Sequence, residues 1–144
     1  MSTAPMTGIE WIVEAYGCGQ ASLSNLETLQ ALFARMVCEL GLHPCGQAQW
    51  HQFPQSGGIT GLCLLSESHL ACHTFPEYGS LCLNLFCCRP RPEWDFQGSL
   101  EQIFGATVVN VRRFERPYFV VPTAVADSAL ALSSYAARES ASSD

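Results

Sequence analysis

The chain contains no lysine. All seven basic residues are arginines: Arg35, Arg89, Arg91, Arg112, Arg113, Arg116 and Arg138. This excludes an internal Schiff base with pyridoxal phosphate, a phosphate-loop lysine and a lysine nucleophile. Any carbonyl–amine chemistry here must take its carbonyl from another source. Charge is sparse as well, at 14% of residues with a net value of −6. Such a chain offers no basic face to nucleic acid and suits a cationic ligand better. No apolar run is long enough to span a bilayer, so no membrane partner is expected. The opening "MSTAPMTGIEW" has neither the basic nor the apolar segment of a secretory leader, and the expected location is the cytoplasm. There is no C-x-x-C pair among the eight cysteines, and Cys87 and Cys88 are adjacent, a poor arrangement for a shared metal. Reduced, mostly buried thiols are expected, and no metal.

What the chain does have is a core. With 48% hydrophobic residues in 144 positions, it is long enough to fold as one domain. "IEWIVEAYG" alternates as a strand and ends at the Gly17-Cys18-Gly19 turn. A helix follows, with Ser24 and Glu27 spaced as a capping box and Leu26, Leu29, Phe33, Met36, Val37 and Leu40 forming its buried stripe. Gly41 is placed to end it. "GQAQWHQF", "ITGLCLLS", "HLACHTF" and "SLCLNLFCC" read as four strands, Ser99 to Gly105 as a short helix, and "TVVNVRRF" as a last strand. The order β-α-β-β then β-β-α-β suggests two related halves. The expected fold is α/β of the α+β kind, a two-layer sandwich with a mainly antiparallel sheet and helices on one face. The other face then needs a cover, and a second copy of the chain would supply one. Residues 1–124 hold this domain, and 125–144 form an Ala/Ser-rich tail.

The reactive side chains concentrate in "LLSESHLACHTFPEYG", residues 64–79. A Ser-His-carboxylate hydrolase does not fit them. Glu67, Ser68 and His69 are sequence neighbours whose side chains alternate across a strand, and no G-x-S-x-G elbow is present. Taken singly, each of these residues reads as strand core.

Taken together, "ESHLACHTFPEYG" and "LNLFCCR" resemble the self-processing site of the bacterial and archaeal S-adenosylmethionine decarboxylases, a pyruvoyl-dependent family. That family carries Glu-Ser-His, then His-Thr-Trp-Pro-Glu, then Phe-Thr-Cys-Gly. The resemblance extends to "FPQSGGITG" and "GIEWIVEAYGC", covering Gly8 to Phe114. It implies cleavage between Glu67 and Ser68, with Ser68 converted to the pyruvoyl group that forms the Schiff base with substrate. That carbonyl is the one the absent lysine could not hold through pyridoxal. The resemblance further implies His73 as proton acceptor in processing, Thr60 as its assistant in the acyl shift, and Cys88 as proton donor in catalysis. Phe53, Phe75 and Glu77 would bind the substrate. The implied product is decarboxylated S-adenosylmethionine, the aminopropyl donor for spermidine, and the implied assembly is a homodimer of processed two-chain protomers.

Several positions depart from the family pattern: Phe75 replaces the tryptophan, Asn84 an aspartate, and Arg89 the glycine after the cysteine. Glu10 and Trp11 stand where a histidine usually follows the first glycine. These keep a pyruvoyl-dependent ornithine or arginine decarboxylase open as an alternative, with Glu10 as a site for a cationic side chain. An inactive partner subunit is a further one, against which stand Glu67, Ser68, His73 and Cys88, all present. Ser68 and His73 are five apart, hence on opposite faces of an ideal strand, so a bulge or turn is expected between them.

Overall fold

The computed structural model describes residues 6–119, and the tail at 125–144 lies outside them. Six strands form one sheet in the order β2-β3-β4-β5-β1-β6, every neighbouring pair antiparallel. They are β1 (Thr7–Tyr16), β2 (Gln49–Gln52), β3 (Ile59–Leu65), β4 (Ser68–Phe75), β5 (Ser80–Cys87) and β6 (Val108–Pro117). The short α1 (Gln20–Leu23) and the longer α2 (Leu26–Leu40) connect β1 to β2, and α3 (Phe96–Phe104) connects β5 to β6. Elements follow the expected order along the chain. In space the first strand lies between β5 and β6, pairing with one along each of its two edges.

Period-2 alternation decides which sheet face is covered. Ile9, Trp11, Val13 and Ala15 of β1, Leu70 and Cys72 of β4, and Leu81, Leu83, Leu85 and Cys87 of β5 are buried on the helix side. The stripe of α2 meets them with Leu29, Leu32 and Met36, each fully enclosed. A side chain of that size contributes roughly 1.5–3 kcal/mol when fully buried. Trp50 lies over Gly61 and against Phe33 at 4.7 Å between ring centroids, fastening the edge strand β2 to the helix layer. A Cβ on Gly61 would meet that indole ring at 2.3 Å.

Both helix starts differ from expectation for the same reason. The cap of α2 is Asn25, whose side chain accepts from the Thr28 N–H, in place of the Ser24/Glu27 box. The helix α3 begins three residues early because Asp95 caps it through the Gly98 N–H at 2.9 Å. In each case the short side-chain acceptor that meets the orphan N–H groups sets the start, one residue later than expected in α2 and earlier in α3. Gly41 ends α2 in the left-handed conformation at φ 63°, as anticipated.

The opposite face carries no helix. On it stand Thr60, Leu62 and Leu64 of β3, His69 and His73 of β4, Asn84 and Phe86 of β5, and Glu10 of β1, with the apolar side chains Leu62 and Leu64 48% and 64% exposed.

Candidate active site

The bond between Glu67 and Ser68 lies at the tip of the β3–β4 hairpin. Leu65 pairs with Ser68, so the loop is only Ser66 and Glu67. Two-residue loops usually need positive φ within the loop, supplied by glycine or asparagine. Neither is present here. The unusual dihedral falls instead on Ser68, at φ 151°, the one non-glycine residue with positive φ among the described residues. A β-carbon in that region costs on the order of 1–3 kcal/mol. Strain is thus placed on the residue after the bond.

The carbonyl of Glu67 is held from the other side. It accepts a hydrogen bond from the backbone N–H of Cys88 at 2.7 Å. Register explains the contact: Ser68 pairs with Cys87 across β4 and β5, which brings the amide just past β5 against the hairpin tip. An N–H at this distance stands where negative charge would collect on the oxygen if the carbon were attacked.

The Glu67 side chain is 6% exposed and fully engaged. One oxygen accepts from the His43 N–H at 3.1 Å; the other contacts His43 Nδ1 and accepts from Arg91 Nη2 at 3.0 Å. Burial alone would raise its pKa. The side-chain and backbone hydrogen bonds and the charge attraction around His43 outweigh that penalty and bring the carboxyl from 4.5 to about 2. A depressed carboxylate stabilises the fold above its unfolded pKa, and that stability is lost as pH falls through the folded value. Glu67→Gln in the uncleaved protein should therefore remove part of the stability loss between pH 4.5 and 2, which acid titration of the unfolding midpoint would measure. Identical acid profiles for the two proteins would contradict this assignment.

Cys87 and Cys88 differ as adjacent strand residues should. Cys87 is fully buried on the helix side, and burial pushes its thiol up to about 11. Cys88 is half-buried beyond the strand end.

Thr60 and His73 form a second group. They are register partners on the helix-free face, and Thr60 Oγ1 lies 3.0 Å from His73 Nδ1. Phe75 follows on the same face, and Phe53 sits just past the neighbouring edge strand, edge-on to His51. Glu77 is exposed in the 3₁₀ turn Pro76–Tyr78. The expected bulge between Ser68 and His73 is absent. Strand β4 runs unbroken, because β3 and β5 pair with it residue for residue along its length. Five residues of strand separate Ser68 from His73 by about 16 Å. One chain therefore brings Glu67, Ser68 and Cys88 together at one end, and Thr60, His73, Phe53 and Phe75 at the other.

Between these ends runs a polar chain whose pairing the motif did not indicate. His69 Nε2 lies 2.6 Å from Asn84 Oδ1, Asn84 donates to Glu10, and Arg116 donates to Glu10 at 2.5 Å. Glu10 thus already holds a cation from its own chain. The reading of Glu10 as a receptor for a cationic amino-acid side chain is not favoured by that pairing.

Comparison with known proteins shows the family. The family model described as S-adenosylmethionine decarboxylase matches residues 9–117. The chain belongs to the S-adenosylmethionine decarboxylase family. It is 33% identical over 111 residues to the S-adenosylmethionine decarboxylase proenzyme of Carboxydothermus hydrogenoformans, covering 76% of this chain and 85% of that one. The proenzyme of the same name from Acetivibrio thermocellus is 32% identical over 118 residues, covering 81% and 93%. In fold, the chain matches the crystal structure of the adenosylmethionine decarboxylase of Aquifex aeolicus with a TM-score of 0.67 and 21% identity, over 83% of this chain and 97% of that one. Among the described residues, no helix is long and apolar enough to cross a membrane.

Proposed function

We propose that this protein cleaves itself between Glu67 and Ser68 and then decarboxylates S-adenosylmethionine. The observation that carries the reading is the hairpin tip, where the Glu67 carbonyl is fixed on the Cys88 N–H next to a strained Ser68. The proenzyme names of the relatives point the same way.

In the first step Ser68 Oγ bonds to the Glu67 carbonyl carbon and the peptide C–N bond breaks. The hydroxyl proton ends on the freed amine, leaving an ester. His73 then takes the α-proton of residue 68, the Cβ–Oγ bond breaks, and Glu67 departs as a new carboxyl terminus. Water converts the remaining dehydroalanine to pyruvoyl and ammonia. The residues fit the group: a serine follows the bond, a donor sits on the attacked carbonyl, and no lysine could hold pyridoxal instead. Once formed, the pyruvoyl carbonyl supplies the electron-withdrawing centre that the substrate amine needs. Cys88 returns a proton to the substrate carbon after CO₂ leaves. Phe53 and Phe75 offer ring faces to the adenine and the sulfonium, and Glu77 accepts from the ribose hydroxyls. The product is an aminopropyl donor of the kind that polyamine synthesis consumes.

The 16 Å within one chain is spanned if two copies pack their helix-free faces together, so that Thr60 and His73 of one meet the hairpin tip of the other. Exposed Leu62 and Leu64 favour such burial. Complementation tests it. Ser68→Ala and His73→Ala should each stay whole alone. When they are produced together, the His73→Ala chain should be cut at its own Ser68 with His73 supplied by the Ser68→Ala copy, and the Ser68→Ala chain should stay whole. Two intact chains in the mixture would contradict the shared site.

Substrate choice is tested by labelled CO₂ release from S-adenosylmethionine, ornithine and arginine with one processed preparation. Preference for the sulfonium substrate is expected, and preference for either amino acid would overturn the assignment.

A further inference from the structure

The hairpin tip is gripped by two segments that are remote from it in sequence. Residues 43–45 lie alongside β3: Pro44 bridges Leu65, the Ser66 N–H donates to the His43 carbonyl at 2.8 Å, and the Cys45 N–H donates to the Leu64 carbonyl at 2.8 Å. From this segment His43 presents both its backbone N–H and its ring to the Glu67 carboxylate. Arg91 reaches the same carboxylate from the loop after Cys88. That loop also begins with the N–H that holds the Glu67 carbonyl, so one residue is fixed at both its side chain and its backbone.

We propose that His43 and Arg91 are positioning residues for self-cleavage, gripping the Glu67 side chain so that its carbonyl stays on the Cys88 N–H and in line for Ser68. This rests on the self-processing reading and deepens it. Acyl transfer to a neighbouring hydroxyl needs the carbonyl carbon presented at a defined angle, and a misplacement of about 1 Å can cost roughly 100-fold in rate. The hairpin loop has no glycine or proline to set that angle, and its two residues, Ser66 and Glu67, would otherwise swing with the tip. Glu67 cannot be anchored through its backbone alone, because the backbone is what must react. Anchoring through the side chain leaves the carbonyl carbon free while fixing its direction.

The grip also suits the fate of the residue. Cleavage breaks the bond after Glu67 but none of the contacts of its side chain, so the new chain end stays docked beside Cys88. His43 is 72% exposed at its side chain whereas Glu67 is 6%, so the imidazole closes the carboxylate off from solvent.

The test follows cleavage of freshly made full chain over time in wild type, His43→Ala, Arg91→Ala and the double variant. Arg91→Ala should slow cleavage by about 10-fold and the double variant by about 100-fold. Hydroxylamine, which intercepts the ester, should not restore the rate, because the defect precedes the ester. The same substitutions in uncleavable Ser68→Ala protein separate positioning from folding. There the Cys88 amide should lose hydrogen-exchange protection by at least about 10-fold while the remaining β4 and β5 amides keep theirs. A folded double variant that cleaves at the wild-type rate overturns the proposal. So does one whose protection falls evenly throughout the sheet, since that is a loss of stability alone. If the double variant does not fold, Arg91→Gln carries the test, with a wild-type cleavage rate again overturning it. A wild-type chain that never cleaves overturns the processing reading itself, and the grip with it.

Discussion

Ser68→Ala should leave one uncut chain with no decarboxylase activity. The change removes the only atom that can attack the Glu67 carbonyl from the adjacent residue, and no other side chain can become the pyruvoyl group. The fold should survive, since Ser68 pairs with Leu65 and Cys87 through its backbone. Alanine keeps the β-carbon and so keeps the strain of φ 151°. Stability should therefore change by less than about 0.5 kcal/mol. Ser68→Gly is the informative companion. It abolishes cleavage equally but removes the β-carbon from a region only glycine visits readily, and should raise stability by about 1 kcal/mol. Thermal melts of the two uncut proteins measure the difference. A glycine variant no more stable than the alanine variant would show that the hairpin stores no strain at this residue.

Cys88→Ala should separate making the cofactor from using it. The contact on the scissile carbonyl comes from the Cys88 backbone, which alanine retains, so cleavage between Glu67 and Ser68 should proceed. The thiol is lost, and turnover should fall by roughly 10²–10⁴, the usual effect of removing a positioned general acid. Cys87→Ala is the control. Its side chain is enclosed on the helix side, so the substitution should cost some stability and leave turnover per cleaved chain unchanged. Gel analysis of cleavage beside CO₂ release separates the two roles. Equal turnover in the two variants, with normal cleavage in each, would contradict Cys88 as the acid.

Much of the sheet was legible because alternation is strict: the buried series Ile9, Trp11, Val13, Ala15 and Leu81, Leu83, Leu85, Cys87 can be read directly. Helix starts were less legible, since Ser24, Asn25 and Asp95 are all competent caps and packing chose between them. The candidate site residues came from the family resemblance, which says nothing of how one chain groups them. Which strand lies beside which decides that Cys88 meets Glu67 and that Thr60 meets His73, and a hairpin without a bulge keeps those pairs apart. His43 and Arg91 carried no motif at all. Each lies 24 residues from Glu67, and only the folded chain brings them onto its carboxylate.

The central claim is that the chain cuts itself and keeps a carbonyl where Ser68 was. Intact mass measurement of the purified protein, with terminal sequencing, tests it most directly. The expected result is two fragments, residues 1–67 with a free Glu67 carboxyl and residues 68–144 with a blocked pyruvoyl terminus. A single 144-residue chain that still carries Ser68 would contradict it.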